Sequence, residues 1–418
     1  MKSATLLPYY FPTSANRFLL EHGFEPPKGV GNVNGRQSED LQYPIRPLEE
    51  VKPESLPNIV VILLDSWNKR TLNAENMPNT YQFAQQNQWF TNHFSGSNGT
   101  RSGVFSLFYG LSCYYWESFE PAHIYPVLLK RLQKLGYDIQ TYPSATWADP
   151  PFGRVIFGGV PGIRTETPGK TSLERDTRIA DLFIADTDKY KKSKKPFFSF
   201  LFFDLPHSFE LPADKNKKFQ PAWAYADYTK LSNDMDPTPF YNLYRNTVYQ
   251  DDILLGKVFE TLKKQGLMDN TIVIVSGDHS QEFNENHRNY WGHNSNFSTY
   301  QLGVPMIWHI PGMRAHKYTH RTTHYDMVPT LMKDYLGVKN NPSDYSMGRI
   351  MTDKTPRLWQ VVGSNLNYAF IIQGDTILEK TAEGGLDVYD AKMNPVKNYR
   401  MPAKQFDHAI KQLNRFFK

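Results

Sequence analysis

Three apolar runs along the chain share one design. Asn58-Ile-Val-Val-Ile-Leu-Leu-Asp65, Phe197-Phe-Ser-Phe-Leu-Phe-Phe-Asp204 and Thr271-Ile-Val-Ile-Val-Ser-Gly-Asp278 are almost continuously apolar, and each stops on an aspartate. A strand covered by helices on both faces needs no polar side, so these runs predict buried parallel strands. Between them the period changes. Ser172 to Lys192 and Pro239 to Gly266 carry apolar residues at helical spacing, among them Tyr241, Tyr244, Val248, Leu254, Val258 and Leu262. Shorter helical patterns cover Met77 to Asn87, the stretch after Thr100, Pro121 to Leu135 before Gly136, and Tyr325 to Leu336 before Gly337. Trp89 to Phe94, Asp138 to Tyr142 and Val304 to Pro311 read as further strands. The alternation predicts an α/β fold with a mostly parallel central sheet flanked by helices.

The texture changes towards the C-terminus. Trp359 to Val362, Tyr368 to Gln373 and Thr376 to Lys380 are short strand-like runs with turn signals between them, and Ala403 to Phe417 closes the chain as a helix. A small antiparallel sheet plus helix is expected there. The chain thus divides into an arm and linker (1–54), an α/β core (55–340) and a C-terminal α+β subdomain (341–418). In the arm, Tyr9 to Phe24 has partly helical apolar spacing. Three stretches lack a period: 145–170, 205–238 and 280–302. Loops of such length often cover or bind something.

Composition narrows the function classes. The net charge of +5 over 418 residues comes from Lys and Arg scattered along the chain, which argues against a nucleic-acid partner. The single cysteine, Cys113, excludes an intramolecular disulfide and a zinc–thiolate cluster. In its aromatic setting (Leu111 to Trp116) it reads as a small buried hydrophobe. No stretch reaches the ~18 apolar residues of a membrane-spanning helix, and no secretory h-region is visible. The chain as it stands is expected to be soluble, and its start is compatible with a piece of something longer.

Chemistry in open α/β sheets sits beyond the carboxyl ends of the strands. Asp65, Asp278 and the adjacent His279 make a carboxylate and imidazole set suited to a divalent metal, zinc or manganese foremost and magnesium third. Thr100 lies in Gly96-Ser-Asn-Gly-Thr-Arg-Ser-Gly103, at a loop-to-helix junction where free N–H groups favour an anion. A metal on its hydroxyl would make it a nucleophile. Arg101 could hold two oxygens of a phosphoryl group. The plainer alternative makes Thr100 an N-cap and Arg101 a solvated surface residue. His93 and His309, in apolar runs, read as packing or hydrogen-bonded core residues. His324 reads as a capping or supporting group, and His287 is open. The aromatics at Tyr114 to Trp116 and Phe152 to Phe157 read as packing, with a lipid-facing role as the alternative.

The order of Asp65, Gly99-Thr-Arg-Ser102, Ser276-Gly-Asp-His279 and Gly292-His293 resembles the alkaline phosphatase superfamily, in its sulfatase-like and phosphoethanolamine or phosphoglycerol transferase branch. Asn16 to Gly23, Asn92 to Gly96, Phe105 to Leu111, Asp269 to Val273 and Val304 to Trp308 resemble YejM/PbgA-type inner-membrane proteins of Gram-negative bacteria. The resemblance spans nearly the whole chain. It implies a periplasmic domain at the inner membrane, with the family's N-terminal transmembrane part missing here. It also implies that Thr100 is a nucleophile touching the metal and that Asp65, Asp278 and His279 are the other ligands. His207 and His293 would hold a second metal or the substrate, with Arg101 beside the nucleophile.

Sulfatases oxidise a Cys or Ser to formylglycine, whereas Thr, a secondary alcohol, would give a ketone. Phosphoryl chemistry on a phosphoester or lipid head group is therefore expected. Two readings stand. One is a metal-dependent phosphatase or phosphotransferase. The other is a catalytically weak domain that binds lipopolysaccharide, lipid A or cardiolipin and regulates lipopolysaccharide synthesis and outer-membrane assembly. The resemblance also implies that enterobacterial members, having lost the Asp-His pair, act as regulators; this chain keeps it, which favours metal binding.

Overall fold

In the computed structural model, which describes residues 41–364, 367–372, 374–380, 385–400 and 402–417, the strand ending at Asp65 is buried along its whole length. It belongs to a seven-stranded sheet whose strands, in chain order, are β1 (Asn58–Leu64), β2 (Gln88–Phe90), β3 (Asp138–Pro143), β4 (Phe197–Phe203), β5 (Thr271–Gly277), β6 (Met306–His309) and β7 (His316–Tyr318). Their spatial order is β7-β2-β6-β5-β1-β4-β3. β1 runs parallel to both neighbours, and Leu64 lies opposite Phe203 on one side and Gly277 on the other. The next residue on each strand is Asp204, Asp65 or Asp278, so the three aspartates leave the sheet at one edge. Only β6 runs antiparallel to its neighbours, so the sheet is mostly parallel as expected.

Alternation along β1 divides the core. Ile59, Val61 and Leu63 pack with Val104, Phe105 and Phe108 of helix α1 (Thr100–Tyr109). Val60, Ile62 and Leu64 pack on the opposite face with Ile179 and Phe183 of α2 (Ser172–Ser193) and Leu243, Val248 and Leu255 of α3 (Thr238–Lys264). A strand with both faces covered has no use for polar side chains, which is why the sequence lost its period-2 alternation there. Helix α2 begins on Thr171, whose side chain accepts from Glu174 N–H. A carboxylate inside α3 caps another helix: Asp252 accepts from the backbone N–H groups of Asn79 and Thr80 at the start of Pro78–Gln85.

The C-terminal part forms a four-stranded antiparallel sheet from Trp359–Gly363, Tyr368–Ile372, Thr376–Lys380 and Leu386–Tyr389. Val361, Phe370 and Leu378 pack against Ile410 and Leu413 of α4 (Ala403–Leu413). Among the described residues no helix is long and apolar enough to cross a membrane.

Several expected boundaries shift. The helix expected from Pro121 starts only at Val127, because Pro126 forces Tyr125 away from helical backbone. The Tyr325–Leu336 pattern is not one α-helix: a tight turn at His324–Asp326, four α-helical residues and a wide π turn at Leu331–Tyr335 share it, with Pro329 among them. Trp89 to Phe94 splits into β2 and a two-residue strand, His93–Phe94. Edge strand β7 and the Leu386–Tyr389 strand were not expected. The apolar spacing at Tyr9 to Phe24 lies outside the described residues.

Phe200 in β4 contacts the rings of Phe108, Trp147, Phe157 and Phe202 and is fully buried. Phe200→Ala is expected to cost about 3–5 kcal/mol. The denaturant midpoint should fall accordingly, whereas a loss under ~1 kcal/mol would place this ring outside the cooperative core.

Candidate active site

The edge where the three aspartates emerge is built by sharp backbone turns. Asp65 is held to β4 by its N–H donating to the Phe203 carbonyl at 2.9 Å. The chain then turns at Ser66, which has a φ of 62°. The Ser66 N–H donates to Asp278 Oδ1 at 3.0 Å, tying the end of β1 to the end of β5. The same oxygen accepts from His279 N–H at 2.8 Å. That bond lets the adjacent Asp278 and His279 side chains serve one site.

His279 is fully buried. Its Nδ1 lies 2.9 Å from the Ser280 carbonyl, which orients the ring so that Nε2 faces the acids. Nε2 lies 3.4 Å from Asp65 Oδ1, 3.6 Å from Asp278 Oδ2 and 3.1 Å from the Thr100 hydroxyl. Thr100 Oγ1 is also 3.5 and 3.4 Å from the two Asp65 oxygens. Thr100 is the first helical residue of α1, and Gly99 occupies the cap position. Its hydroxyl therefore points to the acids and does not cap the helix.

Helix α1 approaches the end of β5 very closely. A Cβ on Gly103 would sit 2.3 Å from the Asp278 carbonyl oxygen, so only glycine allows this approach. His324 lies behind the contact, with Nδ1 3.2 Å from the Gly103 carbonyl and Nε2 3.0 Å from that of Gly277. It braces helix against strand and is not among the groups facing the acids. The capping box beside it belongs to Thr323 and Asp326.

His207 sits on a short helix, Leu205–Ser208, just after Asp204. Its Nδ1 is 3.5 Å from Asp204 Oδ1, and Arg175 pairs with the other Asp204 oxygen at 3.0 Å. The His207 and His293 rings are 5.3 Å apart, and the His279 and His293 rings 4.4 Å. His293 Nδ1 meets Gln281 Oε1 at 3.0 Å. Beneath His207, buried Asp176 accepts from the backbone N–H groups of Asp204 and Leu205, fixing the turn on which Asp204 and His207 stand.

Five expected site residues, Asp65, Thr100, Asp278, His279 and His293, thus meet directly or through one neighbour, and His207 joins them through Asp65. Arg101 does not. Its guanidinium pairs with Glu117 at 2.6 Å and stacks on Trp116 at 4.2 Å. Asp204 and Gln281 were missing from the expected set. Asp204 shares the strand-terminal pattern of Asp65 and Asp278, so the signal was present. Gln281 gave none. His93, bonded to Thr322, and His309, bonded to Asn87 and Met268, are hydrogen-bonded structural residues. His287 lies in an exposed turn. Cys113 is buried as expected.

Among the described residues two groups bring three ligand atoms within 4.8 Å of one another: Asp65, Asp278 and His279, and Asp65, Asp204 and His207. Carboxylate oxygen and imidazole nitrogen suit a divalent ion. One observation fits this directly: Asp278 Oδ2 is buried and has no hydrogen-bond partner. An unpaired buried carboxylate oxygen is costly unless a cation completes it.

The protons respond to the same crowding. Burial and then the Asp65 charge push the Asp278 carboxyl up to about 7. Burial acts the same way on Asp65, but the charges of His207 and His279 outweigh it and hold this carboxyl below its ordinary range. The Asp65 charge lifts His207 to about 10. Burial works against the His279 imidazolium, yet Asp278 and Asp65 keep its pKa above 6.5. Burial, with the nearby His279 and His207, drives His293 down to about 3. Protonated His279 and His207 therefore offset part of the acids' charge when no metal does.

A family model described as Sulfatase matches residues 57–337. The chain belongs to the sulfatase family. It is 25% identical over 402 residues to the inner membrane protein YejM of Salmonella typhimurium, an alignment covering 94% of this chain and 62% of that one. The chain spans 62% to 64% of the length of the curated relatives it matches first. Among solved structures, the phosphonate monoester hydrolase of Agrobacterium radiobacter superposes with a TM-score of 0.65 at 17% identity, covering 86% of this chain and 95% of that one. The lipoteichoic acid synthase LtaP of Listeria monocytogenes gives 0.62 at 16% identity, covering 88% and 95%. The fold is thus that of the alkaline phosphatase superfamily.

Raised in the folded state, the Asp278 pKa makes this carboxylate a burden once it ionises. The folded chain holds its proton up to about 7, whereas the unfolded chain releases it near 3.8. At about pH 8, chelated Asp278→Asn is expected to unfold at higher denaturant than chelated wild type. The gap should close as pH falls through 7 towards 3.8. A lower midpoint for the variant at high pH would show that the ionised carboxylate is already compensated without a metal.

Proposed function

We propose that the chain is a metal-dependent phosphoryl-transfer domain with Thr100 as its nucleophile. The observation that carries this reading is the Thr100 hydroxyl, 3.1 Å from His279 Nε2 and 3.4 Å from Asp65 Oδ2, at a site where buried Asp278 Oδ2 has no hydrogen-bond partner. Asp65, Asp278, His279 and Thr100 would hold a divalent ion, zinc or manganese foremost and magnesium third. Such an ion supplies Lewis-acid polarisation of a phosphoryl oxygen and a lowered pKa for the alcohol it touches.

The chain's own residues supply the rest. Thr100 Oγ1 gives up its proton to solvent and attacks phosphorus as the P–O bond to the leaving group breaks. His207, beside Asp204, is placed to give a proton to the departing oxygen. The oxygen of water or of an acceptor hydroxyl then attacks phosphorus and loses its proton, the P–Oγ1 bond breaks, Thr100 Oγ1 takes a proton back, and the phosphoryl group leaves on the acceptor. His293 stays neutral and, with Nδ1 occupied by Gln281, offers Nε2 to a substrate head group or a second ion. Where a second ion binds instead, the cluster of Asp65, Asp204 and neutral His207 would hold it, and water would supply the leaving oxygen's proton. Threonine at position 100 supports phosphoryl over sulfuryl chemistry, because it cannot form the formylglycine aldehyde. The arm and linker (1–54), core (55–340) and C-terminal subdomain (341–418) remain our division of the chain.

Relatives named as inner membrane proteins, of which this chain spans only part, support placement at the periplasmic face of a Gram-negative inner membrane. The substrate would then be a phosphoester, with an anionic lipid head group as the favoured class. The resemblance to YejM/PbgA-type proteins motivates a second reading, a domain that docks lipopolysaccharide or another anionic lipid without turnover.

Hydrolysis of bis(p-nitrophenyl) phosphate by protein chelated and then reloaded with manganese or zinc separates the two. The enzyme reading predicts activity that Thr100→Ala lowers by about three orders of magnitude and that Thr100→Ser partly keeps. Unchanged turnover in Thr100→Ala would sink the nucleophile assignment. Metal uptake without turnover in the wild type would favour docking.

A further inference from the structure

His293 is held between two left-handed residues. Gly292 and Asn294 have φ values of 86° and 60°. Glycine takes that conformation freely, and asparagine tolerates it better than most residues with a Cβ. The turn is pinned from both sides. Asn294 N–H donates to the Asn98 carbonyl at 3.0 Å, and Asn98 Nδ2 donates to the Asn296 carbonyl at 2.8 Å. Asn296 Nδ2 and Gln301 Nε2 both donate to buried Glu282, at 2.7 and 2.8 Å. Gln301 Oε1 accepts the N–H groups of Ser295 and Asn296. The segment leading into Thr100 and the segment leaving His293 are thereby bonded into one unit.

The Asn294 side chain lies on Gly99, the residue before Thr100. A Cβ on Gly99 would sit 2.2 Å from Asn294 Oδ1 and 3.3 Å from Nδ2. The amide oxygen is the end seated on the glycine, and Nδ2 is the end farther from it. Asn294 is exposed, and among the described residues its amide makes no hydrogen bond. The backbone there needs a left-handed residue, which glycine would supply at less strain. The amide is surplus to the turn.

A phosphoryl group needs donors for its oxygens, and most side chains near Thr100 cannot provide them. Arg101 is spent on Glu117. His279 Nε2 faces Asp65 and the Thr100 hydroxyl. His293 Nδ1 meets the amide oxygen of Gln281, so the ring proton sits on Nδ1 and Nε2 can only accept. The first N–H groups of α1 have no side-chain cap, and Asn294 Nδ2 stands free beside them.

We propose that Asn294 is a substrate-binding residue of the candidate active site, its Nδ2 donating to a non-bridging oxygen of the phosphoryl group seated against Thr100. This inference rests on the reading of Thr100 as a phosphoryl-transfer nucleophile. The oxygen carries negative charge in both the bound substrate and the transition state, so the bond is charge-assisted throughout. Gly99 sets its position, because only a residue without a side chain lets the amide lie against the chain next to the nucleophile.

Asn294→Gly separates the amide from the turn. Glycine keeps the left-handed backbone, so the thermal midpoint should stay close to that of wild type. Full-length protein, chelated and reloaded with manganese, is read in two ways: kcat/KM on bis(p-nitrophenyl) phosphate, and orthovanadate affinity by calorimetry. Both are expected to fall about tenfold in Asn294→Gly, the loss of one hydrogen bond to a charged group. Asn294→Asp keeps the shape and the turn but sets a negative charge against the oxygen, so both should fall further. Gly99→Ala pushes the amide aside and should cost about tenfold in wild type but little in Asn294→Gly, where the contact is already gone. If Thr100→Ala abolishes turnover while Asn294→Gly keeps both readouts, the Asn294 assignment is wrong and the nucleophile stands. If wild type does not turn over yet binds vanadate about tenfold more tightly than Asn294→Gly, the amide assignment stands and the phosphoryl-transfer reading falls. Asn294→Asp matching wild type, fully additive losses in the double variant, or a wild type that neither turns over nor binds vanadate would overturn the proposal.

Discussion

Asp65 and Asp278 are carboxylates at the ends of neighbouring parallel strands, and both are buried. Two such charges in a poorly solvated place cannot stand alone. Their mutual repulsion and desolvation amount to several kcal/mol, so a compensating positive charge is a structural requirement. His279 lies between them, and His207 stands on the other side of Asp65. Without a metal these imidazoles supply that charge only in part, and Asp278 keeps its own proton up to about pH 7. Metal ligands must be deprotonated, so a bound ion would displace protons from the set and take over the same electrostatic role.

Much of the surrounding structure serves this cluster. Parallel register brings the strand ends to one edge. The Ser66 turn and its bond to Asp278 lock two of them together. Gly103 and His324 let α1 come close enough to bring Thr100 to His279. Asp176, buried under the end of β4, does the same for Asp204 and His207 by accepting two backbone N–H groups. Burial and the Asp204 charge push Asp176 up to about 7, with the bonds from the Asp204 and Leu205 backbone opposing them. The scaffold thus bears electrostatic strain outside the immediate site as well, a pattern typical of functional regions.

The long elements were legible because each has a strong local signature. β1, β4 and β5 are unbroken apolar runs, and α2 and α3 are long enough for their period to dominate. The strand-terminal aspartates and the Asp-His pair made the metal-type set visible in the sequence. What escaped depends on contacts distant in the chain. Arg101 is adjacent to Thr100, yet helix geometry turns it towards Glu117 and Trp116. Gln281 gains its partner only when the 282–292 hairpin brings His293 back beside it. Strand β7 is three residues long and mostly exposed at a sheet edge, too short for a period to register. The π turn at Leu331–Tyr335 keeps an apolar spacing that resembles an α-helix, so periodicity alone cannot separate the two.

The central claim is that the buried acids form a metal centre. Its most direct test is the metal content of the chain purified at neutral pH, read by plasma mass spectrometry for wild type and Asp278→Ala. The account predicts about one equivalent of zinc or manganese in the wild type, and a content at least about tenfold lower in the variant. Retention of the same metal by Asp278→Ala, or a wild type that takes up none when manganese or zinc is supplied, would contradict it.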